Sequence, residues 1–292
     1  MKLKQQFITA LAQAMLASTA LCAQATPATP ATPTTPFIED MTWVEVRDAQ
    51  RAGKTTVIIP VGGTEQNGPH MVLGKHNVRV QILAGRIATA LGTALVAPVL
   101  AYVPEGNITP PTAHMRFPGT ITIPDDAFKS LLDSAARSFK QHGFTDVVLI
   151  GDHGGYQSQL KAVAAKLNKD WAAASQSSYR AHFIGEYYQA TQTSYVKALR
   201  AKGLSDAQIG THAGSADTAL LLALNPAGVR TDLLAGALRE GSSGGNGSGI
   251  GSGISGDPRA ATAALGQLGV DAVVDETVAA IKAAIKAAVG KR

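Results

Sequence analysis

The sequence predicts an α/β protein with three layers, α/β/α, around a mainly parallel sheet. Three observations predict it. Uncharged, β-branched runs such as TTVIIPV (Thr55 to Val61) and TDVVLI (Thr145 to Ile150) suit strands buried on both faces. Segments of helical period alternate with these runs, the order that builds a parallel sheet covered by helices. The stretches leaving the strands are rich in glycine and in side chains able to hold ions or move protons, as ligand-binding loops at the carboxyl edge of such a sheet are.

The amino end is expected to lie outside that domain. Lys2 and Lys4 precede an apolar, Ala-rich stretch from Phe7 to Cys22, and Ala23-Gln24-Ala25 has the small-x-small form of a cleavage site. Residues 1–25 therefore read as a secretory signal and the product as periplasmic or secreted. The stretch is too short and alanine-rich for a membrane span, and no membrane association is expected after cleavage. TPATPATPTTP (26–36) can bury nothing and reads as an extended linker. The domain proper is 37–292, long enough for an ample core, with a Gly/Ser-rich insertion at 241–253. The single cysteine, Cys22, falls in the signal, so the domain has no disulfide. Removing Lys2 and Lys4 from the 26 basic residues leaves 24 against 21 acidic ones. No basic run with interleaved aromatics occurs, so nucleic acid is not an expected partner.

Taken in order, Met41 to Gln50 predicts a short helix before the first strand, Thr55 to Val61. Pro60 sits near that strand's end, where a missing donor costs least, and Gly62-Gly63 break it. His76 to Leu91 carries Val78, Ile82, Ala84, Ile87, Ala88 and Leu91 as a helical face, with Gly92 as its stop. Ala94 to Val103 predicts a second strand. Pro104 to Met115 predicts a long irregular loop, a feature usually functional or disordered. Asp125 or Asp126 would cap a helix running to Gln141, ended by Gly143. The strand Thr145 to Ile150 opens into Gly151-Asp152-His153-Gly154-Gly155, followed by a helix from Gln157 to Ala174. His182 to Tyr188 predicts another strand, and Tyr195 to Ala201 a helix. THAGSADT (Thr211 to Thr218) leads into the helix Ala219 to Leu224, and Asp271 to Ala288 is a terminal amphipathic helix.

Glu65, Asn67, His70 and His76 crowd the loop after the first strand. Glu65, His76 and His153 all follow strands at one sheet edge, and together make a ligand set suited to a borderline divalent ion. Glycines around His153 allow backbone to approach such an ion. A lone histidine in an α/β protein is more often hydrogen-bonded filler, and His142 and His182 read that way. Asp217 reads equally as the cap of the helix after it; His76 has the lesser alternative of capping or preceding its own helix without touching metal. The GxG patterns in 241–253 are low complexity, with no strand before them.

GGTEQNGPHMVLGKH resembles the signature of the creatininase family, in which a strand runs into GSxEQHGPHLPLxTD. FPGT (Phe117 to Thr120) resembles its second signature. Gly-Asp-His-Gly-Gly-Tyr (151–156) is similar to NGHGGN, HAGSADT to HAGExETS, and GISGDPRAATAALGQLG (253–269) to GVxGDPxxATAEKG. The resemblance covers most of 41–288. It implies metal-dependent hydrolysis of C–N bonds in a small or cyclic amide substrate, and a homo-oligomer, commonly a hexamer. In that family the Glu, the first His and the closing Asp bind two divalent metals, the Asp bridging them. Glu65 falls on that Glu, Asn67 on the first His, His70 on the second His and His76 on the Asp. His153 falls on the strand-end metal His, and His212 on a His that donates or accepts a proton. Asp217 falls on the second Glu of HAGExETS, while Ser215 replaces the first.

A neutral imidazole has one free lone pair and cannot bridge as a carboxylate does. The resemblance thus implies a reduced site: one divalent metal, zinc or alternatively manganese, held by Glu65, His76 and His153. His212 is the expected general acid with Asp217 beside it. Asn67, His70, His114, Asp152 and Tyr156 are expected to line the substrate pocket. Two rival readings stay open: an inactive binding protein that keeps fold and pocket, and a two-metal enzyme that recruits Asp152 and Asp217.

Overall fold

The computed structural model describes residues 35–174, 178–238 and 251–289. The expected signal, nearly all of the linker and residues 241–250 of the insertion lie outside the described residues. Four strands form one parallel sheet: β1 (Thr56–Val61), β2 (Ala94–Val96), β3 (Asp146–Gly151) and β4 (Arg180–Phe183), in the order β2-β1-β3-β4. The central pair, β1 and β3, is in register from Thr56 opposite Asp146 to Val61 opposite Gly151, and all their residues are buried. The period of two splits their side chains between two cores. Val57, Ile59 and Val61 join Val147 and Leu149 on one face; Ile58, Val148 and Ile150 point to the other.

Helices cover both faces. On the first lie α1 (Trp43–Arg51), α3 (Asp125–Gln141) and α4 (Gln157–Ala173), contributing Ala49, Phe128, Leu132, Leu160 and Leu167 to the core. On the second lie α2 (Lys75–Leu91), α5 (Glu186–Gln192), α6 (Ser194–Ala201), α7 (Asp206–Ile209), α8 (Ser215–Leu224) and α9 (Ala263–Val289). The three-layer α/β/α architecture expected from the sequence is thus the one observed. Among the described residues no helix is long and apolar enough to cross a membrane.

Local differences have physical reasons. β2 stops at Val96 instead of running to Val103, because Pro98 lacks a donor and only the isolated bridge of Leu100 to Val61 continues the contact. The expected strand to Tyr188 ends at Phe183: Gly185 intervenes and the aromatic run continues as α5. Asp125 and Asp126 make no side-chain cap; both lie inside the first turn of α3, after Pro124, where their charge favours the helix dipole. α8 begins at Ser215, which puts Asp217 in its first turn, and α9 begins at Ala263, earlier than its amphipathic pattern suggested.

Candidate metal centre

β1 and β3 end side by side, so the loops after them reach the same edge of the sheet. Gly62 makes the next step possible. A Cβ there would lie 2.1 Å from Asn77 Oδ1 and 2.9 Å from Asn77 Cα, so only glycine lets the first turn of α2 close over β1. Tyr156 holds the other side. Its hydroxyl lies 2.8 Å from the Val61 carbonyl oxygen and 2.5 Å from that of Gly62, and accepts from the His153 amide at 3.1 Å. Tyr156 is fully buried in the core; it positions His153 rather than facing the cleft.

The inner face of α2 then supplies three basic side chains, Lys75, His76 and Arg79. They alternate with three carboxylates in a closed ring. Lys75 Nζ lies 3.9 Å from Glu65 Oε1, and His76 Nε2 lies 2.8 Å from the same oxygen. His76 Nδ1 is 2.6 Å from Asp152 Oδ2, which Arg79 meets at 2.9 Å. Arg79 reaches on to Asp217 Oδ1 at 2.6 Å, and Asp217 Oδ2 returns to Lys75 Nζ at 3.2 Å. Tyr187 adds a hydrogen bond to Asp152 at 2.9 Å, and the Ala213 amide one to Asp217 at 2.9 Å. Asp217 keeps 21% of its side chain exposed, whereas that of Lys75 keeps 1%. Burial opposes the charge of Asp152 and Asp217, yet Arg79 with His76 for the first, and Lys75 with Arg79 for the second, hold both below the usual carboxylate range. Both ring nitrogens of His76 are thus taken up by carboxylate oxygens, Asp152 Oδ2 and Glu65 Oε1. Neither nitrogen is left facing an ion.

On the far side of Glu65 lies a second group. Donor atoms of Glu65, Glu105, His114 and His153 all fall within 4.8 Å of one another. Glu65 Oε2 faces His114 Nε2 at 3.1 Å and His153 Nε2 at 3.5 Å, and Glu105 Oε1 faces His153 Nδ1 at 3.7 Å. Glu65 Oε2 and both oxygens of Glu105 are buried without a hydrogen bond. Burial opposes the charge on Glu65, but His76 and Lys75 outweigh it and hold that carboxyl far below its ordinary range. Burial and the Glu65 charge push Glu105 up to about 9. Burial depresses His114, and takes His153 down to about 3. Those imidazoles are therefore neutral near pH 7, the form a metal needs. Two carboxylates with orphaned oxygens and two neutral imidazoles fit a divalent ion of the zinc or manganese kind.

His212 closes the group. Its Nδ1 is 3.8 Å from Glu65 Oε1, and its Nε2 is 3.0 Å from the Gln66 backbone carbonyl oxygen and 3.1 Å from the Gln66 side-chain Nε2. Donation to the carbonyl frees Nδ1. Burial and Lys75 lower this imidazole to about 4. His114 and His212 pack 4.7 Å apart, and each adjoins an alanine at positive φ, Ala113 (47°) and Ala213 (54°). Such strain in non-glycine residues collects at functional sites.

Of the residues singled out from the sequence, Glu65, His76, His114, Asp152, His153, His212 and Asp217 converge. Asn67 and His70 do not face the cleft. Asn67 is buried and donates to the Glu65 and Val72 carbonyls at 2.9 and 3.2 Å, stapling its loop. His70 is buried against Thr218 Oγ1 at 2.9 Å. Lys75, Arg79 and Glu105 escaped sequence reasoning. A signal existed for the first two: Lys75 and Arg79 share the helical register of Leu83 and Ile87.

Fold and site together define an α/β/α protein with donors for a divalent ion at the carboxyl edge of a parallel sheet. The chain belongs to the creatininase family: residues 39–281 match it, under the description creatinine amidohydrolase. It is similar to a mycofactocin precursor peptide peptidase of Mycolicibacterium smegmatis, 31% identical over 224 residues, 72% of this chain and 78% of that one. It also resembles the creatinine amidohydrolase of Pseudomonas putida, 25% identical over 192 residues, 65% of this chain and 72% of the other. Among solved structures, a manganese creatininase superposes with a TM-score of 0.68 at 22% identity, covering 85% of this chain and 98% of that one. A mutant creatininase of Zn-Zn type gives the same score and identity over 86% and 98%. These likenesses show the fold, and the matched relatives are named as hydrolases.

Proposed function

We propose that this creatininase-family hydrolase cleaves C–N bonds in small or cyclic amides with a single divalent ion, zinc or manganese, held by Glu65, Glu105, His114 and His153. The observation that carries this reading is the set of three buried carboxylate oxygens without hydrogen bonds, standing against two imidazoles. Unpaired buried polar atoms are costly, and a dication is the partner this donor set suits. In this reading His76, expected from the sequence as a ligand, orients Glu65 from behind instead. The names of the relatives, a creatinine amidohydrolase and a precursor peptide peptidase, support C–N cleavage; the manganese and Zn-Zn creatininases support the choice of ion.

When bound, the ion supplies Lewis acidity that polarises a carbonyl and acidifies a water. The remaining work falls to the chain. His212, neutral near pH 7 with Nδ1 free, accepts a proton from the attacking water and returns it to the leaving nitrogen. Tyr188, Gln192, Tyr195 and Thr211 line the cleft between His153 and His212 and hold the amide there.

Elemental analysis of the purified chain should find about one tightly held zinc or manganese per chain, as a site of this donor set takes one ion. Dialysis against a chelator should abolish hydrolysis of a panel of cyclic amides, and the same metal should restore it. Two tightly held ions would reject the single-ion reading. None, with no hydrolysis, would point to an inactive binding protein.

A further inference from the structure

The ring around α2 has a feature that the ion centre does not need. Lys75 places an ammonium group inside the protein, 1% exposed, with its charge divided between Glu65 Oε1 and Asp217 Oδ2. Burying a lysine is costly unless its partners are charged and close, so this position is built rather than incidental. The surroundings of Nζ are those of a cation site. Glu65 Oε1 and Asp217 Oδ2 converge on it, His212 Nδ1 stands 3.8 Å from that same Glu65 oxygen, and Asp217 opens to the cleft. Two carboxylate oxygens and an imidazole nitrogen are a donor set that zinc also accepts.

We infer that Lys75 is a resident cation that fills a second ion position and thereby limits the centre to one metal. The inference rests on the single-ion reading above. Its physical basis is exclusion by charge and by volume. An ion placed between Glu65 Oε1 and Asp217 Oδ2 would meet the ammonium at contact distance. At that range the repulsion of like charges in a buried site far exceeds what one further ligand returns. Glu65 is the hinge of the arrangement: Oε1 serves the side-chain cations and Oε2 faces the metal group. Arg79 cannot substitute for Lys75, because its planar fork is committed to Asp152 and Asp217 Oδ1 on the other side of the ring.

The test replaces Lys75 with a neutral chain of similar length. The full chain and its Lys75→Met variant are stripped of metal, titrated with zinc alone, and counted by native mass spectrometry of the folded protein. The expected result is about one zinc in the unmodified chain and about two in Lys75→Met, the second lost in Lys75→Met/Asp217→Asn because its carboxylate is gone. Lys75→Arg, which keeps the charge, should stay at one. One zinc in both the unmodified chain and a folded Lys75→Met overturns the role of Lys75 and leaves the single-ion reading standing. No zinc in either protein overturns that reading and this inference with it. If Lys75→Met does not fold, crystals of the unmodified chain soaked in zinc decide the matter. Anomalous density between Glu65 and Asp217 overturns the inference, and density confined to the Glu65, Glu105, His114 and His153 group supports it.

Discussion

Glu105 is buried beside an ionised carboxylate with neither of its own oxygens hydrogen-bonded. Its carboxyl is pushed up to about 9, by burial first and Glu65 second. The sign of the consequence follows from linkage. Without metal, the folded state keeps a proton on Glu105 that the unfolded chain releases above about pH 4. Stability is therefore lost as pH rises from that value towards 9. In metal-free protein, Glu105→Gln should remove this loss and raise Tm more at pH 8 than at pH 5, while zinc affinity falls at least about tenfold with the lost ligand. Equal affinity in the variant would take Glu105 out of the centre. The residue was illegible in the sequence because it lies in a Pro-rich stretch without periodicity, where nothing predicts which way a side chain turns. Lys75 and Arg79 were hidden differently. A charged residue on a helix is ordinarily assigned to solvent, and it is Asp152 and Asp217, distant in sequence, that with Glu65 offset their burial. His76 was legible as a site residue, but its partner Asp152 lies 76 positions away.

At the scale of elements, the junction of β1 with α2 carries the centre. Gly62→Ala would press a methyl group into the Asn77 backbone. Such overpacking costs about 1–3 kcal/mol, or about 2–4 °C of Tm per kcal/mol in a domain of this size. The same shift would draw His76 away from Glu65, so zinc should also bind more weakly. An unchanged Tm would contradict the close approach described for Gly62. The strands themselves were readable, because β1 and β3 are buried on both faces and so carry an unbroken apolar run. The edge strands were less so. β2 pairs over three positions only, Thr56, Val57 and Ile58 against Ala94, Leu95 and Val96. The aromatic pattern after His182 suits a strand and a helix equally until Gly185 divides it.

At the scale of the whole molecule, the ring ties together the exits of β1 and β3, the start of α8 and the first turns of α2. Asp152 and Asp217 are held below their ordinary range despite burial, by Arg79, His76 and Lys75. Their contribution is thus fully present above about pH 4 and is lost as pH falls through the depressed folded values. Arg79→Met should cost about 3–5 kcal/mol near pH 7, as breaking a buried ion pair does. The cost should shrink in acid, where the orphaned carboxylates take up protons. A penalty independent of pH between 7 and 3, read from denaturant curves, would separate Arg79 from those carboxylates. The closed ring has one further consequence. Each of its links joins α2 to Glu65, Asp152 or Asp217, so the segments that frame the centre are all tied to one helix. Under the proposed function an ion would enter a frame whose ties run between side chains. A break anywhere in the ring would therefore loosen all three segments together, because each is anchored to the same two turns of α2.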